Sequence, residues 1–340
     1  MKKTIVTRSK PENLLAEDIK IFEHEFTKVI PNPKIGKYNN VYIFQSKLHK
    51  FKHFEFLSKH WKMNEYKKIT KFKIFIKNLI NFIKSKDKQK PVRIDKAIYF
   101  TDEKARMYFH WLLDSVQRLE LISNSKLKVN EYELLIDQNL LKYNFIVKLL
   151  KIYKFKYTIL KDNRVYKIKK LLIPYHLAGS GNYNLQVLNQ SRERLRDYFF
   201  IKNEKENENK KKIWISRQNS RIRKIKNFEE VENVLKKNGF EVIETENLDF
   251  FDQAKIFVNA DVIGSIHGGG LSNMLFMDKS KKVIEVRGKN DYHNNCYFSL
   301  ASGLDLKYYY FLSDVENDDF YHNDYFININ EFEEFLKNFL

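Results

Sequence analysis

The sequence predicts an α/β fold built on open, doubly wound sheets of mostly parallel strands. Short apolar runs alternate with segments of helical spacing along most of the chain, which is the rhythm of βα units. One apolar run, 262–266, is followed after His267 by three glycines, as at the carboxyl edge of a parallel sheet. Because 340 residues exceed the usual size of one core, we expect two domains, 1–205 and 206–340, with the last helix packing back on the first domain.

The composition narrows the class of protein. A single cysteine, Cys296, excludes a disulfide framework and a cysteine metal site. There is no run of 18 apolar residues and no signal-peptide core, so we expect a cytoplasmic protein. The formal charge of +19 favours anionic partners, but the lysines are spread over the whole chain. We therefore treat the charge as weak evidence on function and expect no nucleic-acid partner.

The elements of the first half follow from apolar periodicity. Strand-like apolar runs are bounded by polar segments, and helical segments carry apolar residues three or four positions apart. A charged run at 202–212 predicts the linker between the domains. The predicted strands are 41–44, 97–100, 132–136, 157–160 and 166–173, and the predicted helices are 101–119, 139–151 and 184–201.

Residues 67–84 predict a basic amphipathic helix. Apolar residues recur at helical spacing from Ile69 to Ile83, and lysines flank this stripe. Such a helix can lie on an anionic membrane surface, here the inner face of the cell membrane. The alternative is a helix that packs on its own domain and leaves a solvated lysine face.

His110 and Asp114 form a candidate acid–base unit. They lie four positions apart in the predicted helix that follows Thr101, so they share one helix face. An imidazole and a carboxylate at this spacing can exchange protons with a substrate. The alternative is an ordinary ion pair on the surface of a helix.

The second half repeats strand and helix regularly. Gly239 and Gly303 each end a predicted helix, as glycine commonly does past a C-terminus. Strands at this rhythm predict an open sheet. The predicted strands are 213–216, 241–245, 262–266, 282–287 and 307–312, and the predicted helices are 228–238, 248–259, 294–302 and 331–340.

The segment 261–277 predicts an anion site. Gly268, Gly269 and Gly270 follow a buried strand, and Leu271 begins the next helical spacing. Backbone N–H groups and the helix dipole attract anions at such a corner, and glycine lets a phosphate approach the backbone. Two alternatives are a simple tight turn and the oxyanion loop of lipases, although the Gly-x-Ser-x-Gly elbow of those enzymes is missing.

Three blocks of the sequence resemble glycosyltransferase family 61. The first, 108–119, reads Tyr-Phe-His-Trp-Leu-Leu-Asp-Ser-Val-Gln-Arg-Leu, and the second is a Ser-Arg pair followed by two more arginines within 215–223. The third, 266–277, contains His-Gly-Gly-Gly-Leu-Ser-Asn and precedes the Val-Ile-Glu-Val strand at 283–286. In order and spacing these blocks are similar to those of the family, and they cover roughly residues 95–312.

The resemblance implies a GT-B fold, in which two Rossmann-like domains face a cleft. The C-terminal domain would bind a nucleotide-diphosphate sugar, and the N-terminal domain would bind a saccharide or lipid-linked saccharide acceptor. The implied reaction is inverting sugar transfer, without a metal ion or another cofactor, in the synthesis of capsule or lipopolysaccharide at a bacterial surface. Two residues depart from the family pattern, Gln117 for proline and Gly269 for alanine, and neither removes a chemical group.

Together with the resemblance, the residues predict roles in a sugar transfer. Arginines would bind the diphosphate, His267 would donate to a phosphate or a sugar hydroxyl, and Glu285 would accept from a ribose. The alternative for Glu285 is a buried carboxylate paired with Arg287. His110 or Asp114 would take the acceptor proton, and the ordinary histidine pKa of about 6.5 favours the imidazole. The predicted donor-binding residues are Arg217, Arg221, Arg223, His267, Gly268, Gly269, Gly270, Leu271, Asn273 and Glu285.

Two rival functions stay open on the sequence. A nucleic-acid-binding protein would suit the charge and the many aromatic residues, but it would need them clustered together. A sugar-binding protein could keep the fold without catalysis. Steep salt-dependent binding to a random oligonucleotide would favour the first rival, and donor binding without transfer would favour the second.

Overall fold

The computed structural model describes residues 3–44, 47–50, 55–56, 80, 90–200, 211–289, 291–315 and 323–340. Within these ranges the fold is α/β, as the sequence predicts, with two main sheets that contain parallel strands. The chain divides into two compact units. The first unit comprises 1–32 and 178–340, and the second unit comprises 33–177.

The strands carry most of the predicted apolar runs. In chain order they are β1 (Lys3–Thr7), β2 (Thr27–Pro31), β3 (Ile35–Phe44), β4 (Lys47–Lys50), β5 (Glu55–Phe56), β6 (Val92–Ile98), β7 (Glu133–Asp137), β8 (Tyr157–Leu160), β9 (Tyr166–Pro174), β10 (Lys211–Ile215), β11 (Phe240–Ile243), β12 (Ala260–Ile266), β13 (Lys282–Gly288), β14 (Lys307–Val315) and β15 (Tyr325–Phe326).

The helices lie between these strands. The α-helices are Ile19–Phe22, Tyr108–His110, Val116–Ser123, Asn144–Tyr153, Leu185–Phe200, Phe228–Lys237, Phe250–Val258, Cys296–Gly303 and Ile329–Phe339. The 3₁₀ helices are Ala16–Asp18, Glu23–Glu25, Val129–Glu131, Gln138–Lys142, Thr245–Asn247 and Gly269–Phe276.

The main sheet of the first unit has the order β11-β10-β12-β13-β14-β15. All neighbouring strands in it are parallel except β14 and β15, which run antiparallel. β1 and β2 form a separate antiparallel pair. β12 and β13 are almost continuously buried, as expected for parallel strands covered on both faces.

The core of the first unit is built around Trp214 of β10. The indole is fully buried and lies 5.7 Å from the Phe332 ring and 6.3 Å from the Phe240 ring, between centroids. Gly264 of β12 leaves room for it, since a β carbon there would lie 2.6 Å from Trp214 Cε3. Because Phe332 belongs to the last helix, that helix packs within the first unit rather than on a separate N-terminal domain.

The compact units differ from the predicted division at 205/206 in two places. Glu12 N–H donates to Tyr308 O at 2.9 Å, so the N-terminal residues belong with the C-terminal sheet. The helix before the predicted linker joins the same unit, because Arg192 Nε donates to Met277 O at 3.0 Å. Both contacts join residues far apart in sequence, and no local pattern marks them.

The main sheet of the second unit has the order β5-β4-β3-β9-β6-β7-β8. The strands from β9 to β8 are parallel, as predicted from the βα alternation. β3, β4 and β5 add an antiparallel edge that the sequence does not predict. Only two residues separate β3 from β4, and a connection of that length joins only antiparallel strands.

The helical segment 108–123 changes its geometry in the middle. A π-helical turn, Trp111–Ser115, joins two α-helical pieces, and Val116 N–H donates to Trp111 O five residues back. Such turns inside an α-helix are frequent at functional sites. The sequence predicts this helix at 101–119, whereas the structure begins and ends it several residues later.

Two predicted elements lie outside the described residues. The basic helix at 67–84 lies there except for residue 80, and the linker at 202–212 lies there except for the first residues of β10. Across the part of the chain that the structure describes, no helix combines the length and apolar character needed to cross a membrane.

Candidate functional site

The carboxyl ends of β10 and β12 meet at a topological switch point. From β10 the chain passes to β11 on one side of the sheet and then to β12 on the other side. In open α/β sheets the crevice at such a point is the usual ligand position. Arg217 lies two residues after β10, and His267 lies directly after β12. The sheet therefore brings together two segments that the sequence predicts to bind a donor.

The Arg217 side chain lies directly over the backbone of Gly268. A β carbon at position 268 would stand 2.7 Å from Arg217 Cζ and 2.9 Å from Arg217 Cδ. The guanidinium donates through Nη2 to Ile222 O at 3.2 Å and through Nε to Arg223 O at 3.4 Å. Glycine at position 268 is therefore what allows the guanidinium to occupy this place.

The three predicted arginines have different surroundings. Arg223 has a φ of 60°, which non-glycine residues rarely adopt, and its Nε is buried without a hydrogen-bond partner among the described residues. Burial lowers the pKa of Arg217, and the positive charge of Arg223 lowers it further. An anion would relieve the repulsion between these two guanidinium groups. Arg221 is exposed, so the structure brings together only Arg217 and Arg223.

Gly268, Gly269 and Gly270, called the glycine corner below, lie at the start of a 3₁₀ helix, at the place where the sequence predicts a helix to begin. The first hydrogen bond of this helix joins Leu271 N–H to Gly268 O at 3.0 Å. The N–H groups of Gly269 and Gly270 therefore have no partner within the helix. A β carbon at Gly269 would meet no atom within 4 Å, so the space beside it is open.

Leu271 and Asn273, which the sequence predicts to contact a donor, have side chains that lie in the interior of the protein. The Leu271 side chain is fully buried, and its N–H is already bonded to Gly268. Asn273 is also fully buried, and its Nδ2 donates to Gly270 O at 2.9 Å. The 3₁₀ geometry turns both side chains inward, so they hold the corner in shape.

A buried hydrogen-bond network fixes the imidazole of His267. Glu285 has no exposed surface, and its Oε1 lies 2.5 Å from His267 Nδ1. The other oxygen of Glu285 accepts from the Tyr308 hydroxyl. The Tyr297 ring lies 4.9 Å from the imidazole, between centroids. Because an ionised carboxylate only accepts hydrogen bonds, the shared proton lies on Nδ1 and leaves Nε2 as the second functional nitrogen.

Glu285 is therefore a buried partner of His267. Each of its oxygens has a partner inside the protein, and the residue has no exposed surface at which a ribose could contact it. The alternative partner, Arg287, is also fully buried and donates to Asp291 O at 2.9 Å. Burial lowers the pKa of Arg287, but Tyr308 and Glu285 raise it by more, so this guanidinium stays charged.

In the second unit, His110 and Asp114 form the predicted pair. His110 Nδ1 lies 2.7 Å from Asp114 Oδ2, and the two side chains are 11% and 12% exposed. His110 ends the first α-helical piece and Asp114 lies in the π-helical turn, so the contact spans the change in helix geometry. Nε2 of His110 is left to take or give a proton, as in a base that a carboxylate orients.

The fold and these residues define an α/β protein with an anion-suited corner in one unit and an acid–base pair in the other. A comparison with protein families matches residues 108–284 to Glycosyltransferase 61, which is just over half of the chain. The chain therefore belongs to glycosyltransferase family 61, as its motifs predict. Membership implies a glycosyltransferase that binds a nucleotide-sugar donor and a saccharide acceptor. A comparison with curated proteins found no match.

Proposed function

We propose that this chain transfers a sugar from a nucleotide-diphosphate donor to a saccharide acceptor, with inversion and without a metal ion, in the synthesis of a bacterial surface polysaccharide. The contact between Arg217 and Gly268 at the switch point of the first unit carries the proposal. It sets a guanidinium beside two N–H groups that have no helical partner. Sugar transfer needs such groups because negative charge develops on the departing diphosphate.

We assign the donor to the first unit and the acceptor to the second unit, as the two domains of a GT-B enzyme. Each unit has its own sheet with parallel strands and its own topological switch point. The predicted residues divide in the same way. The arginines and the glycine corner belong to the first unit, and the pair of His110 and Asp114 belongs to the second.

In the donor site, Arg217 and Arg223 bind the diphosphate by charge-assisted hydrogen bonds. Partial burial makes their attraction for an anion stronger than it would be in water. The N–H groups of Gly269 and Gly270 add neutral donors beside them. These positive and dipolar groups supply the charge stabilisation that a divalent ion gives in metal-dependent transferases.

His267 assists the departure of the diphosphate. The buried carboxylate of Glu285 accepts from Nδ1 and orients the ring, and Nε2–H of the ring donates to a phosphate oxygen. Glu285 and Tyr308 are positioning residues in this scheme, since they act only through His267. Their burial keeps the imidazole in one orientation before the donor arrives.

His110 is the base that takes the proton from the acceptor hydroxyl. Asp114 accepts from Nδ1, and its charge favours the imidazolium that forms when Nε2 takes the proton. His110→Ala is expected to lower the rate by about a hundredfold or more. Asp114→Asn is expected to cost less, because the amide can still hold the ring while its charge is lost.

The test starts from the purified chain and a panel of nucleotides. UDP, GDP, CDP and ADP, with the matching monophosphates, are screened for thermal stabilisation, because a ligand of the native state raises Tm. Sugar conjugates of the nucleotide that binds are then tested for hydrolysis and transfer in the presence of EDTA. Transfer in EDTA that is lost in Arg217→Ala supports the proposal. A chain that binds none of these nucleotides, or that transfers only with added divalent ions, would overturn it.

The same assay separates the rival functions. Nucleotide binding without hydrolysis or transfer would identify a sugar-binding protein, and steep salt-dependent binding of a random oligonucleotide would identify a nucleic-acid-binding one. The cytoplasmic location and the contact of 67–84 with an anionic membrane are also parts of the proposal. Sedimentation of the full chain with vesicles of phosphatidylglycerol, compared with phosphatidylcholine, tests that contact.

A further inference from the structure

The second unit has its own topological switch point, between β6 and β9. From β6 the chain passes to β7 and β8 on one side and returns to β9 on the other side. Ile98 of β6 pairs with Leu172 of β9. The fourth residue beyond each of them is Asp102 and His176, respectively. The parallel register thus brings a carboxylate and an imidazole together at the carboxyl edge, which is the usual ligand position.

Asp102 and His176 contact each other directly. Asp102 Oδ2 lies 2.9 Å from His176 Nε2, and Asp102 Oδ1 accepts from Lys104 N–H at 2.8 Å. Burial opposes the charge of Asp102, but the hydrogen bond from His176 and the positive charge of Arg118 outweigh it and lower the pKa of Asp102 to about 2. The carboxylate is therefore ionised and only accepts. In the neutral ring of His176 the proton lies on Nε2, and Nδ1 carries the lone pair.

Arg118 lies behind this pair, with only 1% of its surface exposed. Its Nη1 is 3.6 Å from Asp102 Oδ2, beyond hydrogen-bond distance, and its Nε donates to Pro174 O at 2.8 Å. Nη1 and Nη2 have no hydrogen-bond partner within the described part of the chain. Buried polar groups are normally hydrogen-bonded, either to the protein or to an ordered water or ligand. The described residues thus supply two donor groups here without a hydrogen-bond acceptor for them.

Arg118 also connects this pair to the first imidazole–carboxylate pair. The charges of Asp102 and Asp114 both act on its guanidinium and partly offset the lowering of its pKa by burial. Exposure rises from the guanidinium toward the imidazoles, since the side chain of His110 is 11% exposed and that of His176 is 31% exposed. Among these side chains the imidazole of His176 is the group that a solute can reach best, since those of Asp102, Asp114 and Arg118 are at most 12% exposed.

We propose that His176, positioned by Asp102 with the buried Arg118 beside it, binds a hydroxyl group of the saccharide acceptor and forms a second imidazole–carboxylate pair in this unit. The proposal rests on the proposed glycosyl transfer, and it adds a residue outside the motif at 108–119. A sugar hydroxyl fits because its O–H can donate a hydrogen bond to Nδ1 of His176 while its oxygen accepts another hydrogen bond. Asp102 acts through the imidazole, because its carboxylate is ionised and its two oxygens already contact His176 Nε2 and Lys104 N–H.

The first test measures the ring nitrogens of His176 by NMR in the full chain with ¹⁵N-labelled histidine. We expect the Nε2–H form of the neutral ring, and we expect the Asp102→Asn variant to lose this preference. Methyl glycosides of glucose, galactose and N-acetylglucosamine are then added at millimolar concentrations. A shift of the His176 ring signals with one of them supports the site, whether or not sugar transfer is detected. No shift with any glycoside, or shifts confined to other histidines, would overturn it.

The second test separates acceptor binding from the rest of the reaction. His176→Gln is expected to raise the acceptor KM by about tenfold while leaving the donor KM unchanged, because one hydrogen bond to the acceptor is lost. Asp102→Asn is expected to weaken acceptor binding, and Asp102→Glu is expected to restore part of that binding. Asp95→Asn is the matched control, since Asp95 in the same unit forms an exposed pair with Lys169. An unchanged acceptor KM in His176→Gln would contradict the site, whereas absent transfer in the unmodified chain would contradict only the proposed function.

Discussion

The guanidinium of Arg217 lies so close to the backbone of Gly268 that no side chain fits at position 268 without moving it. A β carbon there would meet Nη1, Cζ and Cδ of the arginine, the last two at 2.7 and 2.9 Å. All these atoms belong to the flexible part of one side chain, so Gly268→Ala is expected to displace Arg217 and leave the fold intact. We expect the affinity for a nucleoside diphosphate to fall by about tenfold to a hundredfold, as when a charge-assisted hydrogen bond is lost. Calorimetric titration measures this change.

Gly179→Ala is the control for that substitution. Gly179 is exposed, a β carbon there would meet no atom within 4 Å, and neither glycine has a φ in the left-handed region. Backbone strain is therefore the same in both variants, and only the contact with the guanidinium differs. Equal loss of affinity in the two alanine variants would show that the contact with Arg217 is irrelevant to anion binding.

Arg217 and Arg221 are expected to differ sharply as alanine variants. Arg217 is partly buried at the switch point, so Arg217→Ala should weaken nucleoside diphosphate binding by about tenfold to a hundredfold. Arg221 is exposed, and Arg221→Ala should change the free energy of binding by less than about 1 kcal/mol. Titrations at low and moderate salt measure both. A variant at position 221 that binds as weakly as the one at 217 would show that the wrong arginine has been assigned.

Sequence spacing predicts the central strands of the first unit, such as β12 and β13, because these strands are buried on both faces, but it does not predict β1, β2 and β15. β12 and β13 are rich in valine and isoleucine and almost continuously buried, which is typical of parallel strands covered on both faces. The membership of residues 1–32 in the same unit could not be predicted in this way. It depends on contacts such as that of Glu12 with Tyr308, which join distant segments and involve no repeating pattern.

The sequence predicts the parts of the candidate site in which a motif fixes the backbone. It does not predict which partner a side chain contacts in the folded protein. Gly268 and Arg217 stand out in the sequence, and the structure brings them together. Glu285 was expected to face a ribose, but a carboxylate in a strand can equally face the interior, where His267 and Tyr308 complete its hydrogen bonds. Tyr308 lies in a run of tyrosines on β14, so composition gives no sign of which hydroxyl is engaged.

Tyr308→Phe is expected to destabilise the protein through Glu285. The substitution removes only a hydroxyl, but it leaves a buried carboxylate oxygen without its donor, which costs about 1–3 kcal/mol. Tyr309→Phe is the matched control on the same strand, because the Tyr309 hydroxyl forms no hydrogen bond with the described residues and should cost less than about 0.5 kcal/mol. Urea unfolding of both variants measures the difference. Equal stabilities would show that the Tyr308 hydroxyl does not support the carboxylate.

Asp102→Asn is expected to lower stability in a way that depends on pH. The pKa of Asp102 is lowered to about 2 in the folded protein, against about 3.9 for an ordinary aspartate. A depressed folded pKa contributes stability that is fully present above the unfolded pKa and is lost as the pH falls through the folded pKa. The shift corresponds to about 2 kcal/mol at pH 7.

The stability difference between the unmodified chain and Asp102→Asn should therefore be the same at pH 7 and pH 5 and should shrink only below the ordinary aspartate pKa of about 3.9. Urea unfolding at a series of pH values measures it, with Asp95→Asn as the control because Asp95 is exposed and paired only at the surface. The control should show no comparable difference, since exposed pairs contribute little. If the stability difference stays the same down to pH 2, the lost stability comes from packing and not from the charge of Asp102. A difference that follows the expected curve would show that His176 and Arg118 hold this carboxylate in its charged form, which is the state that the acceptor-binding role of His176 requires.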